Sequence, residues 1–420
     1  MLRKIIKAIT PYGLIRLRQI IIQHYRNSET IEEMQVIIDA HSKQLEELKG
    51  LDYSRVERLE EGLDGIYLDS DISEYESCQN IEEAWFAING RIDQGDECIK
   101  ACCEWYPPYP YFISLQETAE ETLKKFFDAR KRTIAECMKA SMLKRQGIES
   151  KRKITEGCAK CPFFTKAKWA ERRTDLIKHV YLAVYPSPCQ SKCVYCNVGE
   201  WMRGFNVAES KIYYEKVFEV ISLAKEKNMI ADDANWTVAC GEITIHPLKE
   251  RIYDFVRGQA TKFYTNGFVY DEGVAENLRL NPRSDILLSL DSGTPETFAK
   301  MKGVDKFDVV LKNMDEYCEN GARPGQVRYK YILMPGLNDN LSDYEGIVQT
   351  MKRHETNNII LTRDYRRDST YEEKQAFIYA AKQLVRVLRS NDIDFHLVEI
   401  GITNKEFNEI LDNAEGGEPC

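Results

Sequence analysis

The larger, C-terminal part of the chain alternates short apolar runs with amphipathic stretches, starting near residue 176. The apolar runs predict strands, and the stretches with apolar positions every three to four residues predict helices. Alternating strands and helices indicate a parallel sheet, so six units predict an α/β fold: a partial (β/α)6 TIM-like barrel with its functional residues at the carboxyl ends of the strands. The predicted strands are 179–187, 235–242, 262–267, 285–292, 326–334 and 357–363, with a further one near 396–400; the predicted helices are 208–227, 247–258, 271–280, 305–319, 342–354 and 371–390.

The residues ahead of this barrel predict a mainly helical N-terminal extension. Residues 1–27 combine basic and apolar side chains without an acidic one, which suits a helix lying either on an anionic membrane or on a protein surface. Residues 28–70 place apolar side chains on one helical seam, which predicts either a coiled-coil homodimer or an internal helical hairpin. The predicted division continues with a helical accessory region at 71–175, the barrel at 176–400 and a C-terminal tail at 401–420.

The charge balance narrows the class of partner. A net charge of -9 over 420 residues argues against general nucleic-acid binding, which needs surplus Lys and Arg to displace counterions from phosphates. No window reaches the ~18 apolar residues of a membrane span. We therefore expect a cytoplasmic protein, with peripheral membrane contact through residues 1–27 as the alternative. The 13 cysteines are then expected to be reduced thiols, and closely spaced ones to be metal ligands.

Three cysteines follow the first predicted barrel strand. Cys189, Cys193 and Cys196 form a C-x3-C-x2-C loop. Three thiolates at this spacing can bind three irons of a cubane and leave the fourth iron open. A zinc site would require a fourth Cys or His at comparable spacing, and none follows nearby. The loop therefore predicts a [4Fe–4S] cluster.

This loop resembles the defining motif of the radical S-adenosylmethionine (radical SAM) superfamily, including the aromatic Tyr195 directly before the last cysteine. Four further segments resemble family motifs in the same order, each at the end of a predicted strand, and the resemblance covers about residues 176–400. Cys240 and Ile243 depart from it, because they replace a glycine and a proline that are common in the family. The four segments are Cys240-Gly241-Glu242, Thr265-Asn266-Gly267, the run 289–298 and the run 333–339.

The resemblance implies an S-adenosylmethionine site beside the cluster. Gly241 and Glu242 would receive the methionine amino group, Ser289 or Asp291 would bond the ribose, and Met334 would lie near the adenine. It also implies that one electron from a reductase or flavodoxin-type donor cleaves the cofactor to a 5′-deoxyadenosyl radical, which abstracts hydrogen from a substrate. The implied cofactor-binding residues are Tyr195, Gly241, Glu242, Asn266, Ser289, Asp291, Met334 and Arg363.

Catalytic candidates also lie on the predicted strands. Arg328 and Lys330 share one face of the fifth strand, and Arg363 ends the sixth. Cations inside a barrel require partners, and these are the methionine carboxylate, an anionic substrate, or nearby aspartates such as Asp364 and Asp368. The catalytic candidates are Tyr185, Lys330 and Arg363.

A second cysteine pair, Cys158 and Cys161, lies just before the barrel. It predicts one edge of an auxiliary Fe–S cluster, of the kind found in the SPASM and twitch members of the family; a structural zinc and a metal-free pair are the alternatives. The nearest additional ligands upstream are Cys102, Cys103 and Cys137, whereas Cys78, Cys98 and Cys318 are interpreted as small buried residues.

The sequence says less about the substrate than about the cofactors. Residues 5–14 resemble N-termini of enzymes from bacterial surface-polysaccharide clusters, which favours a small-molecule or glycan-type substrate such as a sugar or nucleotide sugar. A peptide- or protein-modifying maturase is the main alternative, disfavoured by the lack of a predicted strand trio in residues 1–150. A non-catalytic Fe–S or zinc scaffold is a third interpretation, and the predicted nucleoside pocket argues against it.

Overall fold

The computed structural model describes residues 73–91, 98–101, 117–145, 158, 161, 163–169, 171–185, 187–196, 206–364 and 370–398. The chain divides into two compact units, Met1–Ile66 and Tyr67–Cys420, and the described residues all belong to the second. The predictions for residues 1–27, 28–70 and 401–420, and for Cys102 and Cys103, fall outside the described residues and stay predictions.

The described elements alternate as the sequence predicts from residue 176 onwards. The strands are β1 Glu74–Ser77, β2 Trp85–Arg91, β3 Cys98–Lys100, β4 Thr165–Lys168, β5 Ile177–Tyr185, β6 Ile230–Val238, β7 Ala260–Thr265, β8 Asp285–Ser289, β9 Val327–Leu333, β10 Asn358–Arg363 and β11 Asp394–Leu397. The helices are α1 Gln79–Glu82, α2 Ala119–Arg145, α3 Val207–Glu226, α4 Lys249–Val256, α5 Glu272–Leu280, α6 Pro295–Lys302, α7 Phe307–Glu319, α8 Leu341–Arg353 and α9 Tyr371–Arg389, with a 3-10 turn at Ile243–Ile245.

Nine of these strands form one sheet in the order β11-β10-β9-β8-β7-β6-β5-β2-β3. Every neighbouring pair is parallel except β2 and β3, which are antiparallel. The two edge strands of this sheet, β11 and β3, do not pair with each other, so the barrel is open. The predicted α/β partial barrel is confirmed, and β11 supplies the predicted further strand.

The two faces of the sheet differ in character because successive side chains on a strand point to opposite sides. On β5, Val180 and Leu182 belong to the large hydrophobic core that packs against the helices. His179 and Tyr181 alternate with them and line the inner face of the partial barrel, where they are only partly buried. The inner face is therefore polar and accessible, whereas the outer face is the core.

The N-terminal extension is less helical than predicted. Helix α2 confirms part of the prediction, but residues 74–100 form β1, β2 and β3, and β2 lies parallel to β5 in the main sheet. The reason is a period of two in β2, where Phe86 and Ile88 enter the core while Trp85 lies on the inner face. The sheet therefore crosses the predicted domain boundary at residue 175.

A smaller hydrophobic cluster, which we call the satellite core, lies outside the main one. The antiparallel pair β1–β4 packs against α2 at this point. Its buried residues are Tyr75, Cys78, Ile81, Ile134, Cys137, Met138, Ala140 and Trp169, with Cys158, Phe164 and Ala167 packed against them. Among the described helices, none combines the length and apolarity that crossing a membrane requires.

Candidate functional site

The loop that carries Cys189, Cys193 and Cys196 leaves the end of β5 and is fixed on one side by the end of β6. The backbone N–H of Glu242 donates to the carbonyl of Pro188 over 2.8 Å. Gly241 adopts φ +60°, and a Cβ atom there would lie 2.6 Å from the same carbonyl oxygen. Only glycine fits this approach, because a side chain would meet rigid backbone in a conformation that it also disfavours.

The other side of the loop rests on the last turn of α6. Lys192 N donates to Lys302 O and Val194 N donates to Met301 O, both over 2.9 Å. These carbonyls have no partner within the helix, so the loop satisfies groups that the helix end leaves open. Gly303 ends the helix with φ +67°, and a Cβ there would lie 2.9 Å from Lys192 O. Loop and helix are therefore built for direct contact.

A buried polar network joins the loop to the ends of β8 and β9. Asp291 is 0% exposed and adopts φ +59°. Its Oδ1 accepts from Ile332 N over 2.6 Å, and its Oδ2 accepts from Lys302 Nζ over 2.5 Å and from the Tyr195 hydroxyl. Burial and the neighbouring Asp291 raise the pKa of Tyr195 well above its ordinary value. Ser289 and Asp291 are the two predicted ribose contacts. Ser289 is partly exposed, whereas Asp291 is fully buried.

Glu242 is also fully buried, and its carboxylate ties the ends of β6 and β7 together. Oε1 accepts from the Thr244 and Thr265 hydroxyls, each over 2.8 Å, and Oε2 accepts from Asn266 N over 2.6 Å. Burial raises the pKa of this carboxyl above its ordinary value, and the hydrogen bonds offset only part of that rise. The structure gives Glu242 a bracing role that the sequence did not reveal, and the predicted contact with the methionine amino group stays a prediction.

Asn266 lies between this brace and the cysteine loop. Its side-chain Nδ2 donates to Cys189 Sγ over 3.7 Å, and its side-chain Oδ1 accepts from Phe268 N over 3.0 Å. Burial raises the pKa of the Cys189 thiol to about 11, whereas a bound metal would deprotonate it outright. Asn266 therefore touches a predicted iron ligand directly.

Met334 sits at the end of β9 beside the same network. It is 4% exposed and packs with Met301, Ile332 and Tyr195 in a small apolar cluster. The side chain of Asn338 shapes this turn, because its oxygen accepts from Met334 N over 2.7 Å. The predicted adenine-side residue thus lies close to the cysteine loop.

Several residues of the run 289–298 form the start of helix α6. Thr294 caps the helix by accepting from Thr297 N over 3.4 Å, and Pro295 occupies the first turn. Asp343 of α8 accepts from the backbone N–H groups of Gly293 and Thr294 over 2.9 and 3.0 Å. This helix was absent from the sequence prediction, although Thr294, Pro295 and Gly303 are its start and stop signals.

The predicted cations separate in the structure. Arg328 lies near the start of β9 and pairs with Asp285 over 2.9 Å, so it is a structural ion pair rather than a ligand group at the site. Lys330 pairs in register with Ser289 on the inner face. Arg363 comes two residues after core residue Leu361 and pairs in register with core residue Leu333, so it lies on the outer face of the sheet, away from Lys330. Tyr185 is the last residue of β5, at the same edge as the cysteine loop.

A patch on the inner face was missed by the sequence prediction. The Trp85 and His179 rings stack with centroids 3.8 Å apart, and His179 Nε2 lies 3.0 Å from the Thr237 hydroxyl. Burial, with a smaller contribution from Lys262, lowers the pKa of His179 to about 4, so the ring is neutral near pH 7. The alternating side chains of β2 and β5 already place Trp85 and His179 on one face of each strand. Only the pairing of the two strands shows that these two rings are neighbours.

The cysteine loop fits an iron–sulfur cluster by its donor set. Cys189, Cys193 and Cys196 are all partly exposed, and Ser191 Oγ lies 2.9 Å from Cys193 Sγ. Among the described side chains, no three His, Cys, Asp or Glu groups meet closely enough to hold one metal ion. A cubane spreads its ligands over separate irons, so three thiols on one braced loop fit it better than a single ion.

Residues 187–351, which include this loop and every strand end that contacts it, match the sequence model of the Radical SAM superfamily. The chain carries a radical SAM domain. The superfamily implies a [4Fe–4S] cluster and S-adenosylmethionine, in agreement with the donor set of the loop. The radical SAM match begins at Ser187, two residues after the end of β5, the first strand of the predicted barrel.

The proteins that are similar to this radical SAM domain have names that describe different reactions. The chain is 26% identical over 174 residues to GTP 3',8-cyclase of Nautilia profundicola, an alignment that covers 40% of this chain and 50% of the relative. The chain thus spans half the length of this curated relative. Two solved structures align loosely: Streptococcus suis SuiB bound to S-adenosylmethionine (14% identity, TM-score 0.39, 66% of this chain and 56% of the other) and a radical SAM methyltransferase from Sphaerobacter thermophilus (15%, 0.36, 51% and 65%).

Proposed function

We propose that this protein is an enzyme that binds a [4Fe–4S] cluster through Cys189, Cys193 and Cys196, binds S-adenosylmethionine beside it, and removes a hydrogen atom from a substrate inside the partial barrel. The observation that carries the proposal is the bracing of one three-cysteine loop by the ends of β6 and β8 and by α6. When bound, the cluster and S-adenosylmethionine together supply a 5′-deoxyadenosyl radical after one-electron reduction by a reductase or flavodoxin-type donor.

The residues of the chain hold and shield this chemistry. The loop has backbone contacts on both sides, so the three thiols keep their relative positions with little freedom. Ser289 and Lys330 lie side by side on the inner face at the same end of the barrel, where a hydroxyl and an ammonium group suit a ribose or a carboxylate. A substrate that fills the open partial barrel would limit the access of water and stray hydrogen donors to a reactive radical.

The inner face favours a polar, anionic substrate. Lys262 lies on it between the register partners Thr237 and Asp285, and among the described residues it has no carboxylate within ion-pair distance. The indole N–H of Trp85 is buried without an acceptor in the same part of the chain. A half-buried cation and an unused donor would be satisfied by phosphate and hydroxyl oxygens. We therefore propose a sugar phosphate or nucleotide sugar as the substrate class.

Deuterium transfer tests both parts of the proposal. The protein, reconstituted with iron and sulfide without oxygen and reduced with dithionite, is incubated with S-adenosylmethionine and ring-deuterated UDP-sugars. Mass spectrometry should find deuterium in the 5′-deoxyadenosine. Lys262→Met should raise the KM for the sugar nucleotide about tenfold, the loss expected of ~1.4 kcal/mol, whereas the exposed Lys312→Met should behave as wild type.

Two outcomes separate the cofactor chemistry from the substrate class. Formation of 5′-deoxyadenosine without deuterium from any UDP-sugar, but with deuterium from a labelled peptide, would overturn the proposed substrate and favour a peptide-modifying enzyme. Absence of 5′-deoxyadenosine under all conditions would overturn the radical chemistry itself.

A further inference from the structure

Three aromatic side chains meet on the inner face of the partial barrel, near the start of its strands. The Trp85 and His179 rings stack with centroids 3.8 Å apart and an interplanar angle of 16°, and the Tyr181 ring lies 6.0 Å from that of Trp85. All three side chains are partly exposed. In the described part of the chain, Trp85 and Tyr181 belong to none of the hydrophobic clusters. These rings therefore face the interior of the barrel rather than the core.

Strand register places a row of polar groups beside the stacked rings. His179 Nε2 lies 3.0 Å from the Thr237 hydroxyl on β6, and Thr237 pairs in register with Lys262 on β7. Asp285, the register neighbour of Lys262 on β8, forms an ion pair with Arg328 over 2.9 Å, so its charge is already neutralised. Among the described residues of these strands, the charge of Lys262 is therefore left for an anionic group of a ligand.

The same register gives the distance of these groups from the cysteine loop. Lys262 precedes Asn266 by four residues, which is roughly 13 Å at the rise of an extended strand. Asn266 donates to Cys189 Sγ. The pairing of β5, β6 and β7 places His179 two residues, or about 7 Å, further from the loop than Lys262. The Trp85–His179 stack, Lys262 and the cysteine loop thus follow one another from the start of the strands to their end.

We propose that the Trp85–His179 stack is a nucleobase subsite, and that the substrate is a nucleoside diphosphate sugar with its base on the stack and its sugar toward the cysteine loop. This inference rests on the proposed function and narrows its substrate class. Bases of any kind stack on aromatic side chains, and the Lys262 ammonium suits a diphosphate between base and sugar. A sugar phosphate bound at Lys262 would leave the stack without a contact.

A hydrogen-bond donor without an acceptor also favours a nucleoside at this place. The indole N–H of Trp85 is buried and has no acceptor in the described part of the chain. An unsatisfied buried donor is costly, and a nucleoside offers base carbonyl and ribose hydroxyl oxygens that accept from it. His179 is neutral near pH 7, because burial and, to a smaller extent, Lys262 lower its pKa to about 4. Neither ring of the stack therefore brings a charge against an uncharged base.

Isothermal titration calorimetry of the reconstituted full-length protein tests the subsite without turnover. UDP carries the base and the diphosphate but no sugar. We expect UDP to bind within about tenfold of the affinity of UDP-glucose, because these two parts supply most of the contacts. Glucose 1-phosphate, which lacks the base, should bind at least tenfold more weakly than UDP.

Variants then separate the base contact from the anion contact. Trp85→Leu should weaken UDP binding about tenfold and leave glucose 1-phosphate binding unchanged, and Trp85→Phe should restore most of the loss. Lys262→Met should weaken the binding of both ligands. Tyr371→Leu, which removes an aromatic ring that is 73% exposed on α9, is the control and should bind UDP as wild type does. Failure of UDP, ADP and GDP to bind to wild type, or an equal loss of UDP and glucose 1-phosphate binding in Trp85→Leu, would overturn the subsite.

These results are independent of the radical chemistry. Deuterium transfer from labelled glucose 1-phosphate, but from no UDP-sugar, would leave the proposed function intact and overturn the base subsite. Binding of UDP as expected, without formation of 5′-deoxyadenosine, would support the subsite and overturn the radical chemistry.

Photolabelling of wild type covers the case in which Trp85→Leu fails to fold. The protein is irradiated with 5-azido-UDP-glucose, whose reactive group is on the base, and the labelled peptides are mapped by mass spectrometry. We expect the label in peptides that contain Trp85 or His179, and we expect excess UDP to suppress it more strongly than the same concentration of glucose 1-phosphate. Label confined to peptides with neither residue would contradict the subsite.

Discussion

The ammonium group of Lys302 lies 2.5 Å from Asp291 Oδ2, and the two side chains are 1% and 0% exposed. The pair joins the end of α6 to the end of β8, and the Tyr195 hydroxyl adds the cysteine loop to it. Two segments that the sequence predicts as separate cofactor contacts, the cysteine loop and the end of β8, are therefore coupled to each other and to α6 through one buried charge pair.

Removing one partner of this pair should be costly. Lys302→Met leaves the Asp291 carboxylate buried without its counter-charge, which typically costs 3–5 kcal/mol, so we expect a loss of about that size in the free energy of unfolding. Urea unfolding of the two proteins measures it. Lys300→Met is the matched control, because Lys300 lies on the same helix with an exposed side chain. Equal stability of Lys302→Met and Lys300→Met would show that the pair does not stabilise the fold.

The contact between Gly241 and the cysteine loop can be separated from backbone strain. Gly241→Ala places a Cβ 2.6 Å from Pro188 O, so we expect displacement of the loop and at least a halving of the iron bound at it. Gly258 also has positive φ, +71°, but an added Cβ meets nothing within 4 Å. Gly258→Ala should therefore cost about 1 kcal/mol of strain and keep its iron. Iron analysis of both variants measures the two losses, and equal losses would contradict the contact argument.

His179 gives the protein a pH dependence of known sign. Its pKa falls from 6.5 to about 4 on folding because the ring is buried, so the unfolded chain binds the proton more readily. The neutral ring contributes stability above pH 6.5 that is lost as the pH falls toward 4. Between pH 7 and pH 5, we expect His179→Gln to lose about 1–2 kcal/mol less than wild type. The exposed His396→Gln should follow wild type, and a wild-type slope in His179→Gln would refute the assignment.

The sequence predicted those features that depend on local pattern. The six strand–helix units and the cysteine loop follow from periodicity and spacing, and their bounds agree with the structure to within a few residues. β2 was missed because its alternation spans only Trp85–Arg91 beside a helical pattern, and α6 because the Thr294-Pro295 start signal lies within a presumed ligand motif.

Contacts between segments that are distant in the chain could not be predicted from the sequence. The Asp291 side chain was one of two candidates for the ribose contact, yet its partners come from α6 and β9, which only the folded chain brings together. The association of Cys78 with Cys137 and Cys158 likewise joins residues far apart in the chain, and spacing carries no information about it.

The most direct test of the central claim is the formation of 5′-deoxyadenosine by the reconstituted protein, reduced with dithionite and supplied with S-adenosylmethionine, and measured by liquid chromatography and mass spectrometry. The account predicts that wild type and Cys318→Ala form it at the same rate, and that Cys193→Ala forms none above the protein-free background. Formation by Cys193→Ala at the wild-type rate, or by neither wild type nor variant when the wild-type loop holds its full iron, would contradict it.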